Sequence, residues 1–491
     1  MTDSPRGIHD IASADPGRPA LAFSGSITTF GALEAAVNRA AHALRGAGIG
    51  HGDRVAVLLH NRPEVFVAWN AVARLGALVV PIGYRSAPPE IAYLLGDSGS
   101  KAFIHEYANK IAGALPATHS VPTFAIDDPA LREGPSHPPI EDFLGTPVSW
   151  MSYTSGTTGR PKGIERPLPV PARHPAPNPY MQMFGYGRDD VHLLTGPAYH
   201  TAPGAWAQMH LFEGAMVVIM ARWDAEEALR LIAAHRVTSS HMVPANFVRI
   251  LELPDEVRRR HDLSSVRKIL HAAAPCPIAV KRRVLAVFPP GAIWEYYGAS
   301  EGMGTIISPE EWLAKPGSVG RPFPGLDIRV LDDEGRELAP GEIGFVYLRA
   351  AKGYEPRYHN DAEKTAAATR DGLYTVGDLG HKDADGYLFL ADRRTDLILR
   401  GGVNVYPAEI EAALAEHPQV VDSAVMGIPD ERLGQRVRAV VELKPGAARD
   451  AEALRAFLHE KVADFKIPAE WVFVDELPRE PNGKVRKRDL V

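Results

Sequence analysis

The run Tyr153-Thr-Ser-Gly-Thr-Thr-Gly-Arg-Pro-Lys162-Gly163 gathers glycines, four Ser/Thr hydroxyls and a lysine into eleven residues. Backbone N–H groups, hydroxyl donors and one cation held this close suit a polyanion, so Thr154, Ser155, Gly156, Thr157, Thr158, Gly159 and Lys162 are candidates for a phosphate cradle. The order is not that of a Walker loop, because Pro161 separates Arg160 from Lys162 and no Ser or Thr follows the lysine. By composition alone the same run also describes a solvated Ser/Thr/Gly turn. A second stretch, Gly298-Ala-Ser300-Glu-Gly302, satisfies the G-x-S-x-G pattern of a serine hydrolase. That chemistry needs a helix directly after the serine. The residues that follow, Met303-Gly-Thr-Ile-Ile-Ser-Pro309, are glycine-bearing, β-branched and stopped by proline. Lys484 stands in the basic stretch Gly483-Lys-Val-Arg-Lys-Arg-Asp-Leu490, which on its own reads as solvated surface.

The elements that must position these residues alternate between helix and buried strand. Phe30, Leu33, Val37, Ala40, Ala41 and Leu44 fall on one helical face that stops at Gly46 and Gly48, and the apolar strand Val55 to Leu59 follows. A helix carrying Val65, Trp69 and Val72 then leads into a strand from Ala77 to Pro81. The alternation returns after Asp224, which can cap a helix whose third residue is Glu227, and continues in a strand over Val237 to Val243. This is α/β layering. After about residue 320 the texture changes to short strands and tight turns, as in Asp327 to Leu331 and Gly344 to Leu348, which predicts a β-rich subdomain over about 320–394. The last stretch reads helix from Pro407, two strands around Val420 and Arg436, helix from Ala451 and strand from Trp471, a small α+β unit.

Composition narrows the function classes. A chain of 491 residues with 45% apolar and 23% charged residues is an ordinary multidomain globular protein, not a disordered or coiled-coil one. Lys and Arg number 54 against 60 Asp and Glu, leaving no basic excess for a nucleic acid. One cysteine, Cys276, excludes an internal disulfide and suits a reducing, cytoplasmic setting. The N-terminal stretch has no apolar segment behind a basic start, and the longest apolar run, Ala215 to Ala221, is far below the ~18 residues of a membrane span, so neither a secretion signal nor a span is expected.

The loop at 153–163 closely resembles the signature loop of the adenylate-forming superfamily of acyl- and aryl-CoA synthetases, nonribosomal adenylation domains and luciferase. Further stretches match in order: Tyr296-Tyr-Gly-Ala-Ser-Glu301, Tyr374-Thr-Val-Gly-Asp378, Ala391-Asp-Arg393, Gly401-Gly-Val-Asn-Val-Tyr-Pro-Ala-Glu-Ile-Glu411 and Asn482-Gly-Lys484. The resemblance implies a large N-terminal domain, 1–394, of α/β layers with the β-rich subdomain, and a mobile α+β lid, 395–491, hinged at Thr395. It implies ATP, Mg2+ and coenzyme A as cofactors and a small carboxylic acid as substrate. It implies neither a nucleic-acid partner nor a carrier domain within the chain, and leaves a homodimer open.

The resemblance also assigns roles. Lys484 bridges the substrate carboxylate and the α-phosphate during adenylation. Glu301 and Thr158 hold Mg2+. Asp378 and Arg393 meet the ribose hydroxyls. Ala273, Ala274, Pro275 and Tyr297 flank adenine, with Gly298, Ala299 and Ser300 alongside. His200 gates an acyl pocket lined by Trp206, Val243, Ala272, Gly302, Met303 and Gly304, although a lone histidine is as readily a structural residue. Small residues beside apolar ones suggest room for a fatty, aromatic or polycyclic acid. Gly401 and Gly402 lie along the pantetheine path. Three positions depart from the pattern: Ser300 replaces a common Thr, Val376 replaces a Thr before Gly377, and Thr395 stands where relatives carry Asp or Lys. A carboxylate attacking a phosphate brings like charges together, so catalysis must come mainly from cations and alignment. The implied reaction is acid–CoA ligation through an acyl-adenylate, with transfer to a carrier protein, or the unrelated hydrolase chemistry at Ser300, as the alternatives.

Overall fold

The computed structural model describes residues 5–107, 121–154, 161–350, 355–393, 396–400, 403–480 and 483–490, with Thr154 and Arg393 described by backbone alone. These residues pack as two compact units, one drawn from 1–241, 261–266 and 356–365, the other from 242–260, 267–355 and 366–491. The division expected at 394/395 falls inside the second unit, at residues outside the described set.

In the first unit a parallel four-stranded sheet runs in the order Leu78–Pro81, Arg54–Leu58, Ala102–His105, Thr123–Ala125. The helices Phe30–Gly46 and Pro63–Ala73 bury Phe30, Leu33, Val37, Phe66 and Trp69 in a core shared with Val55 and Val57 of that sheet. Thr29 caps the first of these helices by accepting the Ala32 amide, and Pro63 opens the second, where no amide is needed. A second run of strands is ordered Ser239–Met242, Val191–Leu194, Met216–Ile219, Pro19–Phe23, Ser26–Thr29, and all its neighbours are parallel except the last hairpin. Asp224 caps the helix Ala225–His235 through the Glu227 amide at 2.8 Å, as its spacing predicts.

The second unit holds the strands Lys268–His271, Ile293–Ala299, Gly302–Ile307 and Arg321–Pro322 as successive neighbours. An antiparallel five-stranded sheet is built from Ile328–Leu331, Gly344–Arg349, Leu373–Lys382, Thr369–Arg370 and Leu388–Arg393. The same unit contains the C-terminal α+β fold. Its strands Val403–Val405, Ile398–Arg400, Gly434–Leu443, Val420–Asp430 and Glu470–Val474 form one sheet, and the helices Pro407–Leu414 and Ala451–His459 cover it over Ile410, Leu414, Val437, Val441, Leu454 and Leu458. Most predicted elements stand within a residue or two of their expected ends; the last strands start earlier or run longer. No helix among the described residues is long and apolar enough to cross a membrane.

Candidate active site

In the first unit the strands Ser152–Thr154 and Lys162–Glu165 form an antiparallel hairpin, with Thr154 opposite Lys162 and Tyr153 opposite Gly163. A third strand, Arg357–Tyr358, flanks it. The candidate cradle residues Ser155, Gly156, Thr157, Thr158 and Gly159, which fall between these strands in the sequence, lie outside the described residues. Both ends of the segment are tied down: Tyr153 donates its hydroxyl to Asp97 at 2.7 Å, and Tyr93 donates to the Pro161 carbonyl at 3.0 Å. Gly163 is needed because a Cβ there would press on Met151, Tyr153 and His359. Lys162 lies 2.9 Å from Asp361. That contact raises the lysine's pKa and lowers the carboxyl's, so the cation proposed for phosphate already has an anionic partner in this unit.

His200 precedes the helix Thr201–Phe212, with its ring 4.3 Å from that of Tyr199. The Thr201 hydroxyl donates to Ser152 Oγ at 3.1 Å, tying this helix to the hairpin. Trp206, expected to line a pocket, is 3% exposed among Phe184 and Tyr186, with ring centroids at 5.5 and 6.3 Å. Behind it His210 donates Nδ1–H to the Trp206 carbonyl at 2.7 Å, and its Nε2 lies 2.9 Å from Ser239 Oγ. Burial holds His210 down to about 4 and therefore neutral.

In the second unit Tyr297 and Asp378 meet directly, the phenol donating to Asp378 Oδ2 at 2.7 Å. Both are largely buried. Tyr297 shares a core with Val346, Leu348 and Tyr374 of the five-stranded sheet, which is why the hairpin and the sheet present these two side chains together. Asp378 and Arg393 are cross-strand partners in register. Gly298, Ala299, Gly302, Met303 and Gly304 lie on the hairpin Ile293–Ala299/Gly302–Ile307. A Cβ at Gly302 would overlap the Tyr374 hydroxyl, so the glycine is required by that close approach. Ser300 and the buried Glu301 sit at the hairpin's turn. No helix follows Ser300, and the serine-hydrolase reading is thereby corrected: a hairpin turn cannot form the strand–elbow–helix that activates such a serine.

Ala272 is buried, while Ala273 and Pro275 are exposed on the loop after Lys268–His271. Ala273 holds φ at 78°, a left-handed conformation that a non-glycine adopts only when its surroundings impose it. Beneath the loop, the fully buried Lys281 pairs with Glu295 and lies 4.8 Å over the Trp312 ring. That pair joins the helix Ile278–Leu285 to the strand that carries Tyr297. It escaped sequence reasoning, although a lone carboxylate inside the apolar run Ile293 to Tyr297 was a local sign of it.

Lys484 lies on a short hairpin. Its carbonyl accepts the Glu480 amide at 2.7 Å, the Gly483 amide donates to Glu480 O at 2.9 Å, and Arg479 pairs with Val485. Gly483 has φ of 87° and faces Val243, so an added Cβ would come within 2.7 Å of Val243 Cγ2. The structure thus sets the Lys484 turn against one of the residues expected to line the acyl pocket. Gly401, Gly402 and Thr395 lie outside the described residues, and so does the side chain of Arg393.

The α/β layers with a C-terminal α+β fold define a mixed α/β enzyme of the adenylate-forming kind, with a large N-terminal and a small C-terminal domain. The model of the AMP-binding enzyme family matches residues 8–355, and that of the AMP-binding enzyme C-terminal domain matches 409–484. The chain is 34% identical to the fatty acid–[acyl-carrier-protein] ligase ScoC of Streptomyces coeruleorubidus, over 98% of this chain and 94% of that one. It is 33% identical to an indoleacetate–CoA ligase of Aromatoleum aromaticum, over 98% and 96%. Among solved structures, o-succinylbenzoate CoA synthetase from Bacillus subtilis with its acyl-adenylate intermediate superposes with a TM-score of 0.83 at 28% identity, covering 100% and 98% of the two chains. ATP-bound MatB from Rhodopseudomonas palustris gives 0.82 at 28%, covering 100% and 96%. The chain belongs to the AMP-binding, adenylate-forming enzyme family. CoA ligases of this family use ATP, Mg2+ and coenzyme A.

Proposed function

We propose that this chain is an ATP-dependent carboxylic acid–CoA ligase acting on a fatty, aromatic or polycyclic acid. A carboxylate oxygen attacks the α-phosphorus of ATP, the bond to the β-phosphate oxygen breaks, and pyrophosphate leaves. The CoA thiol, losing its proton, then attacks the acyl carbon of the mixed anhydride, and AMP departs. The observation that supports this reading is the packing of Gly483 against Val243, which sets the backbone next to Lys484 beside a residue we propose to line the acyl pocket.

Each residue has a task in that chemistry. Lys484 offsets the repulsion between carboxylate and α-phosphate. The paired Tyr297 and Asp378 give a flat face for the base and an acceptor for a ribose hydroxyl, with Arg393 as the donor. Glu301, a buried carboxylate, fits a hard divalent ion that phosphates carry for the most part, and Thr158 supplies a hydroxyl to it. When bound, Mg2+ neutralises phosphate charge. The loop 155–159 with Lys162 receives the phosphates, His200 and Trp206 border the acyl group, and Gly401 and Gly402 allow the pantetheine arm to pass. The domain division at 394/395, with Thr395 as its hinge, and a cytoplasmic setting belong to the same reading.

A carrier-protein thiol as acceptor is the second reading, favoured by the likeness to the carrier-protein ligase ScoC at 34% identity. One screen tests both. Purified protein with ATP and Mg2+ is assayed for pyrophosphate release across fatty acids of several lengths, benzoates, cinnamates and steroid carboxylates, first alone, then with CoA, then with a phosphopantetheinylated carrier protein. CoA is expected to raise turnover and yield a thioester. Turnover with the carrier protein alone would move the acceptor assignment, and no pyrophosphate from any acid would overturn the ligase reading. A bulky side chain at Gly402 is expected to slow thioester formation and leave pyrophosphate exchange nearly intact.

A further inference from the structure

Arg249 lies on the helix Pro244–Glu252, which begins one residue after Val243. Its guanidinium reaches the C-terminal α+β fold, 2.8 Å from Glu442 Oε1 and 3.4 Å from Glu476 Oε1, and it also meets Glu252 of its own helix at 2.9 Å. The Glu442 side chain is only 4% exposed, and its other oxygen accepts the Leu477 amide at 3.0 Å. Leu477 leads straight into the hairpin that carries Lys484. The same helix therefore bears two attachments of the lysine hairpin: at its start Val243 and Ala245 receive Gly483, and two turns later Arg249 grips the carboxylate that anchors the hairpin's root.

The three carboxylates differ in what they can contribute. Glu476 is 76% exposed and Glu252 is an i,i+3 neighbour, so both are solvated partners of small effect. Glu442 is buried, and a buried carboxylate that loses its cation keeps the desolvation cost without the compensating charge. Arg479, at the hairpin's first strand, pairs with Asp422 and donates to the Gly483 carbonyl. It thus holds the turn to the C-terminal fold and leaves Arg249 as the ion-pair link from the helix to that fold's buried carboxylate.

We propose that Arg249, through Glu442, is a positioning residue that latches the Lys484 hairpin in place for acid activation and must let go before thiol attack. This rests on the ligase reading for its consequence in turnover, but not for the latch itself. A pair of opposite charges fits such a role, since its strength falls once water enters and the same contact can re-form in each cycle.

The test compares Arg249→Met, Glu442→Gln and the double variant with wild type, all as the full chain. In hydrogen–deuterium exchange the amides of 478–487 and 242–247 are expected to exchange about tenfold faster in each single variant, and no faster in the double, because one pair is being broken. The strands Val420–Asp430 and Gly434–Leu443 are expected to keep wild-type rates. Decanoate and benzoate serve as probe acids: pyrophosphate exchange should fall about tenfold, while CoA thioester formation from supplied decanoyl- or benzoyl-adenylate holds or rises. Unchanged exchange at 478–487, a rise spread over the whole C-terminal fold, or an equal fall in both half-reactions would overturn the latch. If wild type releases no pyrophosphate with either acid, the substrate reading fails for those acids and the exchange pattern still decides the latch.

Discussion

Two hairpins in this molecule each deliver a lysine, and they are held in opposite ways. The first, Ser152–Thr154 with Lys162–Glu165, is a strand pair inside a three-stranded sheet, and its ends are fixed by Tyr153 to Asp97 and Tyr93 to Pro161. The second, around Lys484, shows among the described residues one isolated bridge, from Arg479 to Val485, and is held to the rest of its unit by Gly483 against Val243, by Arg479 on Asp422 and by the Arg249 ion pair with Glu442. The difference separates two demands on a cation. Under the proposed ligase reading, Lys162, assigned to the phosphates in every step, gains from a rigid mount, whereas Lys484, assigned to the moment when two anions react, suits a mount that can detach.

Substituting each lysine should break the comparison most visibly. Lys484→Ala is expected to lower acyl-adenylate formation by about a thousandfold while thioester formation from supplied acyl-adenylate persists, measured as separate half-reactions. Equal loss in both would erase the distinction between the two mounts. Lys162→Ala is expected to raise the KM for ATP about tenfold with a smaller change in kcat, since it removes a charge-assisted contact made before and during reaction. Asp361→Asn should act in the other direction, lowering the KM for ATP about threefold, because the lysine no longer divides itself between a carboxylate and phosphate.

The smallest expected effect concerns pH. The Asp361 carboxyl is held below its ordinary value by Lys162, so the pair's contribution is complete above pH ~4 and is lost as pH falls through the lowered value. Lys162 is held above its ordinary value, so the contribution is complete below pH ~10 and fails only at higher pH. The effect of Asp361→Asn on the KM for ATP should therefore be the same at pH 6 and pH 9. A change between those values would mean that the pair is not formed in solution.

Much of this was legible in the residues, and the reasons are local. Helical faces such as Phe30 to Leu44 and the capping pair Asp224 and Glu227 show in the sequence because period and caps are short-range properties. The candidate phosphate loop shows because glycines, hydroxyls and a lysine cluster within eleven residues, while the strand pairing that flanks it did not. The reasoning that spoke against a helix after Ser300 agrees with the structure, whereas the hairpin that stands there was not read from the sequence. What could not be seen are pairings across long separations. Arg249 and Glu442 stand 193 residues apart, Tyr297 and Asp378 81 apart, and nothing in the neighbourhood of one announces the other. Lys162 looked like a lysine awaiting phosphate, and only the fold brings Asp361 to it.

The central claim is that a carboxylate of the substrate attacks the α-phosphorus of ATP. With an acid that triggers pyrophosphate release, prepared with 18O in its carboxylate, one complete turnover to the thioester should place one 18O atom in the phosphate of AMP. AMP free of label, or ADP and phosphate as the products, would contradict it.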